Sequence, residues 1–212
     1  MVVFMNMNKK VLLTATAMVA SLALSACSDA PTPAKETEVK KEAVKAPEAV
    51  TAQTAYYEAY KLARSWATDL EGLSVASGEV PTIKNDGGKA GLWTIVFVSQ
   101  SRKEARSFTW AADNSGADIR KGVNVSNALV WSGATQASMP FTNTQFTVDS
   151  DAAYKTALGK AGDWVKTHPN EKVSFRLGNA VRFGAPVWYV MWGSTNNGYA
   201  ALVNATTGLI VQ

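Results

Sequence analysis

Few side chains in this sequence could do chemistry, and their spacing limits what that chemistry is. The chain holds one histidine, His168, and one cysteine, Cys27, among 212 residues. A structural zinc centre takes about four Cys, His or carboxylate ligands, so a histidine- or cysteine-rich metal site is excluded. His168 lies in Thr167-His168-Pro169, where the proline biases the residue before it away from helical geometry. It is therefore read as a polar cap at a helix end, not as a catalytic base. Gly87-Gly88-Lys89-Ala90-Gly91 has the composition of a phosphate-binding loop. It lacks the Gly-x-x-x-x-Gly-Lys-Ser/Thr order and opens a strand rather than a helix, so it is read as a hairpin connection. Asp149 and Asp151 flank Ser150 at the start of an amphipathic run, which suits a helix cap and a first-turn acid. No catalytic residue, metal ligand or cofactor is assigned. An enzyme built on Ser, Lys or paired carboxylates is the alternative that composition leaves open.

The lone thiol has a different chemistry. Lys9 and Lys10 precede an apolar run over residues 11–24, fourteen residues long, whereas a bilayer span needs about 20. A positive start and a short apolar stretch fit a secretory signal. The block Leu24-Ser25-Ala26-Cys27 that follows resembles the bacterial lipobox. That resemblance implies cleavage after Ala26, a signal peptide over residues 1–26 and acyl chains on Cys27. The protein would then be held at the membrane by lipid and face the periplasm. Ser28, rather than Asp, after the cysteine implies the outer membrane over the inner one. Met7 is an alternative start, because residues 1–6 add nothing to the signal pattern.

Residues 27–50 carry mixed charge and three prolines but no aromatic residue, a composition unable to bury a core. The stretch is read as a tether that reaches at most about 75–80 Å when extended. The whole chain carries a formal charge of +4, which falls to +2 once Lys9 and Lys10 leave with the signal. Nothing in that balance calls for nucleic acid.

Beyond the tether, Ala55, Tyr56, Ala59, Ala63 and Trp66 fall on one face of a helix expected over residues 52–70, with Thr51 or Thr54 as its cap. Tyr154, Ala157, Ala161 and Trp164 mark a second helix over residues 149–167. Tyr56, Ala59, Ala63 and Trp66 match Tyr154, Ala157, Ala161 and Trp164 at one offset of 98. Trp93 matches Trp188 at 95, and Gly116 matches Gly208 at 92. This register predicts an internal repeat. Strands are expected over residues 74–80, 92–98, 106–111 and 117–123, and again over 172–177, 187–192, 199–204 and 209–212. The expected fold is therefore α+β, with two tandem units over 51–123 and 149–212 joined by a segment over 124–148. Each unit has one helix packed on a four-stranded antiparallel sheet.

Pro186-Val187-Trp188-Tyr189-Val190, the Ala-x-x-Ala helix spacing and Val203-Asn204-Ala205-Thr206-Thr207-Gly208-Leu209-Ile210 resemble the PepSY-like domain, best across residues 149–212 and more faintly across 51–123. The tandem arrangement is similar to that of beta-lactamase inhibitory proteins. The resemblance implies an envelope protein that binds proteins or peptides, with a peptidase or cell-wall component as partner. Period-two alternation turns Trp188 and Val190 toward the helix, and Tyr189 and Met191 toward the other face. Tyr189 and Met191 are thus candidate partner contacts, as are Trp110 and Trp131, which the repeat does not assign to the core. Trp110 and Trp131 also carry the alternative of a glycan-binding protein.

Overall fold

The computed structural model describes residues 46–211 except Thr195; the expected signal peptide, Cys27 and most of the expected tether lie outside the described residues. A short strand β1 (Val50–Thr51) runs directly into helix α1 (Ala52–Ala63). Ala55, Tyr56, Ala59 and Ala63 recur at helical spacing and are all buried. The helix stops earlier than its apolar pattern predicts. The Ser65 hydroxyl donates to the Leu62 carbonyl at 2.8 Å and the Trp66 amide to the Ala63 carbonyl at 2.8 Å, which tightens the last turn. Trp66 therefore lies beyond the helix.

The strands that follow are β2 (Leu70–Gly78), β3 (Lys89–Ala90), β4 (Leu92–Ser99), β5 (Glu104–Ala111) and β6 (Gly122–Val130). Helix α2 (Ser150–Thr167) precedes β7 (Val173–Asn179), a single 3-10 turn at Val181–Phe183, β8 (Pro186–Gly193) and β9 (Gly198–Asn204). The expectation of two units, each a helix on its own four-stranded sheet, is corrected here. There is one seven-stranded antiparallel sheet in the order β6-β5-β4-β2-β7-β8-β9, and β1 and β3 form a separate two-stranded pair. The fusion occurs where β2 pairs with β7 through Ser74↔Gly178, Val75↔Leu177 and Ala76↔Arg176. Main-chain donors and acceptors left along the edge of either half would otherwise need another partner.

The fourth strands also differ from expectation. Residues 115–119 close a turn, with the Ser115 amide on the Ile119 carbonyl at 3.0 Å, so β6 begins only at Gly122. Near the C-terminus, among the described residues, the bridge Val203↔Ile210 stands in place of a fourth strand. The Val211 amide reaches the Leu202 carbonyl at 2.9 Å, so this return covers part of the outer edge of β9. Among the described residues no strand pairs with the opposite edge, β6, where Leu129 is 71% and Val130 88% exposed.

Register settles which side chains share a face, because directly opposed residues point the same way. Ile95 faces Val75, Val75 faces Leu177, and Leu177 faces Trp188. This row, with Trp93, Phe97 and Val190, forms one buried cluster with the alanines of both helices. Trp93 and Trp188 touch edge to face, with centroids 6.4 Å apart, and both are fully buried. Their indoles are also held alike. Trp93 Nε1 donates to the Val50 carbonyl at 2.9 Å, just before α1, and Trp188 Nε1 to the Val148 carbonyl at 2.9 Å, just before α2.

The N-termini of the two helices meet. At the Thr51 cap position no side chain bonds back to the α1 backbone, and the partners come from α2 instead. Asp149 Oδ1 accepts from Ser150 N at 2.6 Å and from Gln53 N at 2.9 Å. The Ser150 hydroxyl accepts from Ala52 N at 2.8 Å and donates to the Gly88 carbonyl at 2.6 Å.

The turn between β4 and β5 depends on Asp69. Its carboxylate accepts from the Ser99 hydroxyl at 2.6 Å and from the Ser101 amide at 2.8 Å. The Ser99 bond first, then the Ser101 amide, hold its pKa down to about 2 from 3.8. A carboxylate with a depressed folded pKa contributes stability that is complete above its unfolded value and lost as pH falls through the folded one. Urea midpoints are therefore expected to fall between about pH 4 and pH 2. Asp69→Asn should flatten the lower part of that profile while leaving a smaller acid loss from other carboxylates, such as Glu104. The Glu104 pKa is lowered by its Arg102 and Trp66 hydrogen bonds.

Candidate functional site

His168, the Gly87-Gly88-Lys89 loop and Asp149 all have structural places. The His168 ring stacks on Trp164 with centroids 4.1 Å apart and planes 8° apart. Its Nδ1 lies 2.9 Å from the Trp164 carbonyl oxygen and 2.9 Å from the Thr167 hydroxyl. The ring thus closes the end of α2, as expected of a helix-end cap. The Gly87-Gly88-Lys89 loop does approach two helix N-termini, where an anion would be favoured. That position is occupied by the Asp149 carboxylate and by the Gly88 carbonyl. Gly88 has φ +84°, and a Cβ there would lie 2.3 Å from the Asp151 Cα. The glycine permits close packing of the loop on α2. Among the described residues, no group of three or more His, Cys, Asp or Glu is placed to hold a metal.

The face of the sheet away from the helices is differently built. One row of opposed residues runs across all seven strands: Asn124, Thr109, Thr94, Ala76, Arg176, Tyr189 and Leu202. On the β6 side the row is small and polar. On the β9 side it rises to Arg176 and Tyr189, with Met191 opposite Ser174 one pair along. Tyr189 and Met191 are half-buried and line one cavity of about 460 Å³ together with Leu73, Ser74, Ala137, Ser138 and Arg176. A second cavity of about 440 Å³ lies on the other side of Tyr189, bounded by Gln136, Ala137, Ala180, Val181 and Arg182.

The segment between β6 and α2 builds the wall shared by these cavities. The Met139 amide donates to the Asn179 carbonyl at 2.9 Å and the Val181 amide to the Gln136 carbonyl at 3.0 Å. Farther along, Phe141 turns to the helix side and packs edge to face with Phe146 at 6.2 Å. A Cβ on Gly72 would come within 2.6 Å of the Phe141 ring, so a glycine in β2 gives this aromatic its seat. Tyr56 lies against Phe146 at 5.3 Å and donates its hydroxyl to Asn143 Oδ1 at 2.7 Å. Burial first, with Tyr60 and Tyr57 adding, pushes the Tyr56 phenol above its ordinary pKa, so it stays neutral and a donor.

Of the four residues singled out in the sequence, Tyr189 and Met191 are brought together. Trp110 is not with them. It faces Trp93 on the helix side and packs against the core, beside a cavity lined by Ala46, Pro47, Val50 and Lys121. Trp131 follows strand β6 and donates its amide to the Lys103 carbonyl at 2.9 Å. Sequence reasoning missed Arg176 and Arg182. The outward position of Arg176 was available from alternation within residues 172–177, but its pairing opposite Tyr189 was not.

No family model matches the chain, and no curated protein matches it. The chain is similar to the crystal structure of a proposed lipoprotein from Clostridium difficile 630, at 11% identity and a TM-score of 0.42, over 74% of this chain and 90% of that one. That likeness is too distant to transfer a name or a role.

Proposed function

We propose that this protein is an envelope lipoprotein, anchored by lipid on Cys27, whose helix-free sheet face binds a segment of another envelope protein without catalysing a reaction. The observation that carries the reading is the placing of Tyr189 and Met191 in one open cavity of about 460 Å³ on that face. A polarisable thioether and an amphipathic aromatic ring adapt to a partner surface at little cost in order. The tether gives the sheet reach away from the membrane. The PepSY-like pattern over residues 149–212 points to a peptidase or a cell-wall component as the partner.

Crosslinking in intact cells tests both parts together. The wild type is expected to fractionate with membranes and to capture a discrete set of envelope proteins. Tyr189→Ala with Met191→Ala should lower that capture about tenfold, in the range for loss of a well-packed interface contact, with unchanged circular dichroism. Cys27→Ser should move the protein to the soluble fraction. Unchanged crosslinks in the double variant refute the docking face, and membrane retention of Cys27→Ser refutes the lipid anchor.

A further inference from the structure

Two arginines flank Tyr189, and among the described residues no ion pair involves either of them. Arg176 lies directly opposite Tyr189 in the β7–β8 pairing, which places their Cβ atoms about 4.5–5.5 Å apart. Arg182 comes from the 3-10 turn before β8. Its guanidinium carbon lies 4.5 Å from the Phe183 ring centroid, and Phe183 meets Tyr189 edge to face at 6.3 Å. Arg182 is thereby held at the rim by an aromatic face, an arrangement that favours a guanidinium over an ammonium.

Each arginine lines one of the two cavities on either side of Tyr189, and the cavities share Ala137, Ala180 and Tyr189. Neither lining contains an aspartate or glutamate. The ion pairs among the described residues involve Arg102, Lys61, Lys166 and Lys172, not Arg176 or Arg182. The wall facing them is made by Gln136, Ala137 and Ser138, which lie within a run of 27 residues, 122–148, that has no charged residue. Two guanidinium forks thus flank one aromatic residue, with no carboxylate among the described residues that line either cavity.

We infer that the paired cavities are a recognition site for an acidic peptide segment, with one carboxylate on Arg176, another on Arg182 and an apolar side chain lying over Tyr189 and Met191. This rests on the reading of the helix-free face as the docking surface and specifies the chemistry of what docks there. A guanidinium matches a carboxylate in two parallel hydrogen bonds, which sets orientation as well as attraction. The small residues Ala76, Thr94 and Thr109 continue the same row toward β6, leaving room for an extended chain to cross the sheet.

The test uses the full-length protein in detergent and two fluorescein-labelled decapeptides of alternating residues, one Glu-Leu and one Gln-Leu, followed by anisotropy. The Glu peptide is expected to bind at least tenfold more tightly, with affinity falling as salt rises. Arg176→Gln and Arg182→Gln should each weaken it about tenfold, the scale of one hydrogen bond to a charged group. Arg→Lys at either place should recover only part of that loss. Both arginines are exposed, so these variants should keep the wild-type circular dichroism. Equal binding of the two peptides, or unchanged affinity in both Gln variants, overturns the inference. Displacement of the Glu peptide by inorganic phosphate at lower concentration than by free glutamate also overturns it, in favour of a phosphate ligand. If the Arg variants keep every crosslink in cells while the Tyr189 and Met191 variant loses them, the docking face stands and the acidic partner does not.

Discussion

Trp188→Ala is expected to lower the free energy of unfolding by about 3–5 kcal/mol, the usual cost of removing a large aromatic from a close-packed core. The residue is fully buried against Trp93 and Phe146, at 6.4 and 5.7 Å between centroids. The change also removes the donor to the Val148 carbonyl that leads into α2. A domain of this size is stable by about 5–15 kcal/mol, so the variant should stand near the edge of folding. The form of the transition is as informative as its position. Because Trp93 and Trp188 belong to one cluster under one sheet, both halves should unfold together. Urea titrations read by far-ultraviolet circular dichroism and by tryptophan fluorescence should coincide in the wild type and in the variant. If residues 51–123 kept their own transition at the wild-type midpoint, the two halves would have separate cores. Trp188→Phe fills most of the volume and loses only the indole donor, and should cost about 1–2 kcal/mol.

Asp149→Ala is expected to cost about 2 kcal/mol, roughly twice the usual price of a lost helix cap. The reason is that one carboxylate oxygen serves both helices, accepting from Ser150 N in α2 and from Gln53 N in α1. Its charge also lies near the positive ends of two helix dipoles. Asn keeps an acceptor oxygen and loses the charge, so Asp149→Asn should recover most of the stability, with a residual loss of about 0.3–1 kcal/mol that shrinks in high salt. Urea midpoints of the two variants at low and high salt separate the hydrogen bonds from the charge. Were Asp149 an ordinary single cap, Ala would cost about 1 kcal/mol. Thr51→Ala serves as the control. Among the described residues its hydroxyl meets the Thr54 hydroxyl alone, at 3.1 Å, and its loss should be within about 0.5 kcal/mol, as for a surface substitution.

Local pattern made much of this legible. Alanine and aromatic spacing located the faces of both helices, because an apolar stripe at 3.6-residue period has only one way to be buried. Alternation in Leu92–Ser99 and Pro186–Gly193 separated Trp93 and Trp188 from Thr94 and Tyr189, because side chains in a strand alternate strictly. Asp149 and Ser150 were both recognisable as candidate caps, and Asp149 is the one that caps α2. Its reach to α1 was not recognisable, since that depends on a meeting of helix ends 96 residues apart in sequence.

What the sequence by itself determined was therefore the set of amphipathic pieces, the side each residue of a strand takes, and the scarcity of histidine and cysteine. What only the tertiary structure decided was the joining of β2 to β7. That junction is made by main-chain groups, which are the same in every residue, and Leu70–Gly78 has too little alternation to announce a central strand. One of its close side-chain fits, Gly72 beneath Phe141, depends on a segment 69 positions away. The joining turned two expected sheets into one, put Trp93 against Trp188, and set Arg176 between Ala76 and Tyr189. Tyr189 and Met191 were chosen by alternation, but their neighbours were chosen by strand order, and strand order is a long-range property of the folded chain.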